Sequence, residues 1–311
     1  MPETDFSIQP MPVGAQVVGL VSGLEEDEGV RRALYQAWLD YGILIFRNVR
    51  SMEQHMALSL CFGDLEIHPY PTARHPDLPY FMELGKTPIR YIYDDRDLRV
   101  NRIPWHRDTA YTPDICKGAM LRLLEIPKRG GETLLADTAM AYDDLPADVK
   151  ARLENLEFKA TLRTDHVAQT RPGALWRTVR REDGKEPDNT LASSYPPVVH
   201  PAVLVHPESG RKCIFLSPTY VDFFLGVEPA ESEALLRYLV AHMTQPKYVY
   251  EHSWTVNDAV LWDNRRFMHA ARGNSPDERR YGLRTTLAGA TRTGRYFDAG
   301  AKPPAIAALA D

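Results

Sequence analysis

Cysteine is scarce in this 311-residue chain: Cys61, Cys116 and Cys213 are few, scattered and odd in number. That excludes a disulfide framework or a CxxC zinc site and leaves buried, inert thiols. Long apolar runs are missing too. No window approaches 18 consecutive apolar residues, and the opening MPETDFSIQP has neither a basic start nor an apolar stretch, so neither a membrane span nor a secretion signal is expected. The expected location is the cytoplasm. Positive charge is not in excess either; the net charge is -5. A broad cationic surface is therefore absent, and neither nucleic acid nor membrane is an expected partner, whereas a homo-oligomer is left open. The sequence shows no internal repeat and no βαβ alternation, which argues against solenoid, Rossmann and TIM architectures.

What is present suits one soluble globular domain over residues 1–311, with 44% hydrophobic and 25% charged residues. Val30, Leu34, Trp38 and Tyr41 recur at helical spacing in residues 26–42, and Gly42 is placed to stop that helix. GILIFRN then reads as a buried strand, and a second helix is expected from Met52 to Cys61. PAVLVHPESGRKCIFLS reads as two strands joined at ESG, PAESEALLRYLVAHMTQ as a helix starting near Pro229, and AVLWDN and RRYGLRTTLAG as strands. The polar, irregular segments 69–104 and 163–197 are expected to be long loops acting as lids near a site. Many strands with few helices point to a mainly β fold with flanking helices, a distorted double-stranded β-helix or jelly-roll core.

Chemistry enters at Trp105-His106-Arg107-Asp108-Thr109. His106 and Asp108 are two apart, so an extended backbone sends both side chains to one side, where they can share a metal. Imidazole and carboxylate suit Fe(II), Mn(II) or Zn(II), and His269, close behind a predicted strand, is the natural third ligand. Two histidines and one carboxylate on one face leave coordination positions open, the facial arrangement of Fe(II) oxygenases. Downstream, Arg280 and Arg284 alternate with apolar neighbours so that a strand points both to one face, which makes an anion site.

These residues resemble the taurine dioxygenase and 2,4-dichlorophenoxyacetate dioxygenase family. The resemblance runs through FGDLEIHP at 62–69, WHRDTAY at 105–111, GGETLLAD at 130–137, HPAVLVHPESGRK at 200–212, WDNRRFMHAARG at 262–273 and RRYGLRTTLAG at 279–289. It implies an Fe(II)- and 2-oxoglutarate-dependent dioxygenase that uses O2, hydroxylates a C–H bond of a small organic anion and releases succinate and CO2. By position, His106, Asp108 and His269 resemble the iron ligands. Arg280 resembles the arginine that binds the distal carboxylate of 2-oxoglutarate, and Thr133 its hydroxyl partner. His68, Tyr220 and Arg284 resemble substrate contacts, Arg284 holding the substrate's anionic group. A carboxylate at Asp108 argues against halogenation, because halogenating relatives lack it. The stretch between His68 and His106, with Tyr91, Tyr93 and Arg102, is longer than in the taurine enzyme, which argues against taurine as substrate.

Two rival readings use the same ligands: a hydrolase in which Zn(II) activates water, and a cupin-like metal-binding protein without turnover. The hydrolase gives no role to the paired arginines or Thr133, and retention of the full ligand and cosubstrate set argues against the binding protein. Oxygen-dependent succinate formation separates the readings.

Overall fold

A computed structural model describes residues 6–68, 73–85, 91–93, 98–162, 178–181, 195–289 and 292–302; for 24, 91–93, 98 and 178–181 it describes the backbone alone. The fold is mainly β, with few helices. The largest sheet runs, in spatial order, β1 (Ser7–Pro10), β2 (Ala15–Val18), β3 (Ile43–Phe46), β17 (Ala259–Asp263), β8 (Gly118–Glu125), β19 (Tyr281–Leu287) and β4 (Leu65–Glu66), with β5 (Met82–Leu84) also on β19. A second sheet runs β11 (Thr178–Arg181), β6 (Tyr91–Tyr93), β7 (Leu98–His106), β18 (Phe267–Asn274), β9 (Thr133–Asp137) and β16 (Val249–His252). A smaller sheet orders β15 (Val221–Phe224), β10 (Glu157–Ala160), β12 (Val198–Pro201) and β20 (Arg295–Tyr296), and β13 (Val203–Val205) pairs with β14 (Lys212–Ile214).

Strand alternation sorts the side chains into layers. In β3, Ile43 and Ile45 join Val260 and Trp262 of β17, Leu121 of β8, Leu135 of β9 and Phe267 of β18 in a core between the two large sheets. Leu44 and Phe46 point the other way, onto Val30, Leu34 and Trp38 of helix α1 (Glu28–Tyr41) and Leu58 of helix α2 (Met52–Leu60). On the far side, Met268, Ala270, Leu134 and Ala136 meet the small sheet, helices α3 (Thr138–Asp143) and α4 (Ala147–Leu153), and Leu236, Leu239 and Val240 of helix α5 (Pro229–Met243). Because Phe267 faces the inter-sheet core, His269, two residues on, faces it as well.

The helices over 26–42 and from Pro229, the strands at ILIF, AVLWD and YGLRTTL, and the pair joined at ESG all form where the sequence places them. Gly42 caps α1, its N–H bonded to Trp38 O at 2.7 Å. The segment 69–104 departs from expectation: β5, β6 and most of β7 occupy it, so it is not one long loop. Of 163–197, the structure describes a strand at Thr178–Arg181 and residues 195–197, and the rest lies outside the described residues. A lid at 163–197 is therefore an expectation that falls largely on residues outside the description, one at 69–104 falls there in part, and the side chains of Tyr91 and Tyr93 lie outside it as well.

Candidate active site

His106 ends β7 and His269 lies in β18, and the two are direct antiparallel partners with ring centroids 4.1 Å apart. Asp108 follows in the turn after β7. Its Oδ1 lies 3.6 Å from His106 Nε2 and its Oδ2 3.5 Å from His269 Nε2, and one ligand atom from each of the three lies within 4.8 Å of the others. Those separations are too long for hydrogen bonds and short enough for one ion to touch all three. His106 Nδ1 is 2.8 Å from Pro104 O; a carbonyl accepts, so that nitrogen carries the proton and Nε2 turns a lone pair inward. Burial, with His106 beside it, holds His269 well below the usual histidine range, as a neutral metal ligand requires. Burial opposes ionisation of Asp108, but Arg284 and the two imidazoles outweigh it and keep the carboxyl well below the usual range. Two neutral imidazoles and a carboxylate fit a divalent first-row ion with open positions.

The turn that carries Asp108 is clamped by residues that the sequence pattern did not single out. Arg107 is fully buried between the two ligands, and its guanidinium donates to Leu216 O at 3.2 Å, Asn264 O at 2.8 Å, Phe267 O at 3.1 Å, Ile214 O at 2.8 Å and Thr138 Oγ1 at 2.6 Å. Asn264 accepts from Asp108 N–H at 2.9 Å and donates to Asp108 O at 2.9 Å. The WDNRR segment therefore holds the HxD turn through backbone bonds, and no spacing rule reveals that.

The anion-binding candidates divide by strand length. Arg280 and Arg284 are four residues apart, about 13 Å along an extended strand, so they serve different partners. Arg280, just before β19, donates from Nε to Gly131 O at 2.9 Å and from Nη2 to Thr133 Oγ1 at 3.3 Å. Burial lowers its pKa to about 10, which leaves it charged at neutral pH. Thr133 sits two residues along β9 from Leu135, the register partner of His269, about 7 Å from the metal rung and on the same inward face. Arg284 instead forks onto Asp108, Nη1 to Oδ1 at 3.1 Å and Nη2 to Oδ2 at 2.7 Å, and its buried Nε has no partner. Glu66, register partner of Thr286, faces the same region; burial lifts its carboxyl to about 7 against the pull of Arg284.

Of the remaining candidates, His68 is half-buried two residues past β4, and its carbonyl accepts from Arg74 Nε at 2.6 Å. Tyr220 packs edge-on against Tyr111 at 5.2 Å, beside Tyr195 and Leu162. The structure thus groups six candidates, His106, Asp108, His269, Arg284, Arg280 and Thr133, around one inter-sheet space and places Tyr220 against the segment that follows Asp108.

Comparison with known proteins meets this arrangement. The family model described as taurine catabolism dioxygenase TauD, TfdA family matches residues 5–286. The chain is 34% identical over 271 residues to the (S)-phenoxypropionate/alpha-ketoglutarate-dioxygenase of Sphingobium herbicidovorans, covering 86% of this chain and 89% of the relative. It is 36% identical over 257 residues to the alpha-ketoglutarate-dependent 2,4-dichlorophenoxyacetate dioxygenase of a Burkholderia species, covering 79% and 82%. The crystal structure of AAD-2 in complex with Mn(II) and N-oxalylglycine superposes with a TM-score of 0.71 at 27% identity, covering 93% of this chain and 99% of that one.

Proposed function

The chain belongs to the TauD, TfdA dioxygenase family and is a 2-oxoglutarate-dependent non-haem iron oxidoreductase, and from that premise we propose that it hydroxylates a C–H bond of a small organic anion at a centre held by His106, Asp108 and His269. The observation that carries the residue assignment is the convergence of these three donors, with Thr133 two residues along the same inward face from the partner of His269 and Arg280 hydrogen-bonded to it. Iron bound there supplies oxygen activation coupled to the decarboxylation of 2-oxoglutarate to succinate and CO2. N-oxalylglycine, held with Mn(II) by the structural relative, carries the same two carboxylates as 2-oxoglutarate at the ends of a chain of equal length.

The chain's own residues provide position and charge. Arg280 and Thr133 hold the distal carboxylate of 2-oxoglutarate, the guanidinium by charge-assisted hydrogen bonds. Arg284 meets the substrate's anionic group: two of its five N–H donors carry Asp108, and its buried Nε has no partner, so the guanidinium keeps donors for an incoming anion. His68 and Tyr220 border the substrate, and the two large sheets, read as a distorted jelly-roll within one domain, bury the centre between them. Phenoxyalkanoates, the substrates in the names of both relatives, are carboxylates on an apolar body and fit this charge pattern.

The test is to load the protein with Fe(II) and 2-oxoglutarate and measure O2-dependent succinate release with a panel of phenoxyalkanoates, alkyl sulfates and neutral analogues. His269→Ala is expected to abolish succinate release while keeping the parent's thermal stability without iron. A variant that still turns over, or a parent stimulated best by a neutral compound, would overturn the respective assignment.

A further inference from the structure

We infer that Trp254 is a positioning residue for the cosubstrate: with Arg280 it fills the acceptor capacity of the Thr133 hydroxyl and so compels that hydroxyl to donate to the distal carboxylate. The inference rests on the assignment of 2-oxoglutarate to Arg280 and Thr133 above.

A threonine hydroxyl has two acceptor lone pairs and one proton. Thr133 Oγ1 accepts from Trp254 Nε1 at 3.2 Å and from Arg280 Nη2 at 3.3 Å. Neither the indole nor the guanidinium can accept, so both lone pairs are occupied by obligate donors. The hydroxyl proton is therefore left to point elsewhere. Thr133 is only 4% exposed and lies on the inward face, so the proton's outlet is the space between the sheets. Arg280 Nε is bound to Gly131 O, and its Nη1 makes no hydrogen bond among the described residues. Thr133 O–H and Arg280 Nη1–H then form a donor-only pocket end, which a carboxylate satisfies and an amide's NH2 does not.

The indole is placed by its surroundings. His252, register partner of Thr133 across β16 and β9, packs its ring edge-on against Trp254 at 4.4 Å and 85°, and its Nδ1 is 2.9 Å from Tyr250 Oη. Immediately after Trp254, the turn is closed by Thr255 N–H to Asp258 Oδ2 at 2.9 Å and Asp258 N–H to Thr255 O at 2.9 Å. Trp254 is only half-buried, so its indole adds less to the core than Trp38 or Trp262 does.

The experiment is a double-mutant cycle on 2-oxoglutarate binding to the full-length protein loaded with Mn(II), read by titration calorimetry in parent, Trp254→Phe, Thr133→Val and the double variant. Trp254→Phe is expected to weaken binding roughly three- to tenfold, the range for one hydrogen bond. In the Thr133→Val background the same change should have no further effect, because the hydroxyl it orients is gone. Parent affinity in Trp254→Phe, or an equal loss in both backgrounds, would overturn the inference and make Trp254 a packing residue. Arg280→Ala is the control: if it too binds 2-oxoglutarate like the parent, the cosubstrate assignment itself fails. A second readout is selectivity against 2-oxoglutaramate, whose terminal amide meets the donors; the parent should discriminate against it, and Trp254→Phe should narrow the gap.

Discussion

At the residue scale, the proposed metal ligands are ordinary side chains held in place by neighbours that lie outside the trio. His106 and Asp108 can face one side because Arg107 between them faces the other, where five acceptors hold its guanidinium. Asn264 completes the clamp by bonding both backbone groups of Asp108. Asn264→Ala takes away the partner of the buried Asp108 N–H and of the buried Cys116 C=O, at a cost of about 1–3 kcal/mol for each such group. The expected result is a lower urea midpoint and, beyond it, weaker Fe(II) binding in a titration under native conditions, because the carboxylate turn is no longer fixed. Lost stability with unchanged iron affinity would show that Asn264 holds the fold and not the ligand. The convergence of the His106, Asp108 and His269 side chains was legible in the sequence because HxD spacing has a geometric meaning on an extended backbone. Arg107, Asn264 and Trp254 were not, because their partners are carbonyls, amides and hydroxyls that only the fold brings near.

At the element scale, β3, β17 and β19 were readable, and the irregular β7 and β18, which carry the two histidines, were not. ILIF and AVLWD alternate between two apolar layers and announce themselves. β18 reads FMHAARGN, poor in β-branched residues, and is a strand because both its faces are covered. β7 contains Pro104, and at Asn101 its backbone turns to φ 57°, with a register shift against β18 between His269 and Ala271, so no period survives in its sequence. The same irregularity sets a prediction at Gly85, which follows β5 where it pairs with β19. Its φ is +80°, and a Cβ there would lie 1.9 Å from Arg280 O. Gly85→Ala must push back Arg280, the residue proposed to hold the cosubstrate. The expected loss exceeds the roughly 1–2 kcal/mol of a left-handed residue alone and comes with weaker 2-oxoglutarate binding. Gly226→Ala is the comparison, since at φ +71° a Cβ there meets nothing within 4 Å and only the conformational cost remains. Equal losses of stability in the two variants, with cosubstrate affinity intact in both, would remove Gly85 from any role at the site.

At the scale of the whole molecule, the layering that buries His106, Asp108 and His269 also buries neutral histidines elsewhere, and these tie stability to pH. His55, between α2 and β19, has its pKa lowered to about 3 by burial, with Arg122 adding to the effect. His200, between the rings of Phe158 and Phe215, is lowered to about 4, again by burial. Unfolding returns both to about 6.5. Between that value and the folded ones the unfolded chain binds protons that the folded chain does not, so stability falls as pH falls from about 6.5 toward 4. For His200 alone the full effect is on the order of 3 kcal/mol, at 1.36 kcal/mol per pH unit. The buried carboxylates Asp108 and Asp263 add their loss only near and below the carboxylate range, whereas Glu66, lifted to about 7 by burial, takes up a proton in the fold between about pH 7 and 5 and opposes the histidines there. Melting temperatures of the metal-free protein across that interval are expected to drop with acidification. His200→Gln should start lower, because the ring fills space between two phenylalanines, yet lose less on the way down, because glutamine takes up no proton. The difference between the two slopes belongs to His200 whatever His269 and the other groups contribute. Parallel slopes would show that His200 is already protonated in the fold.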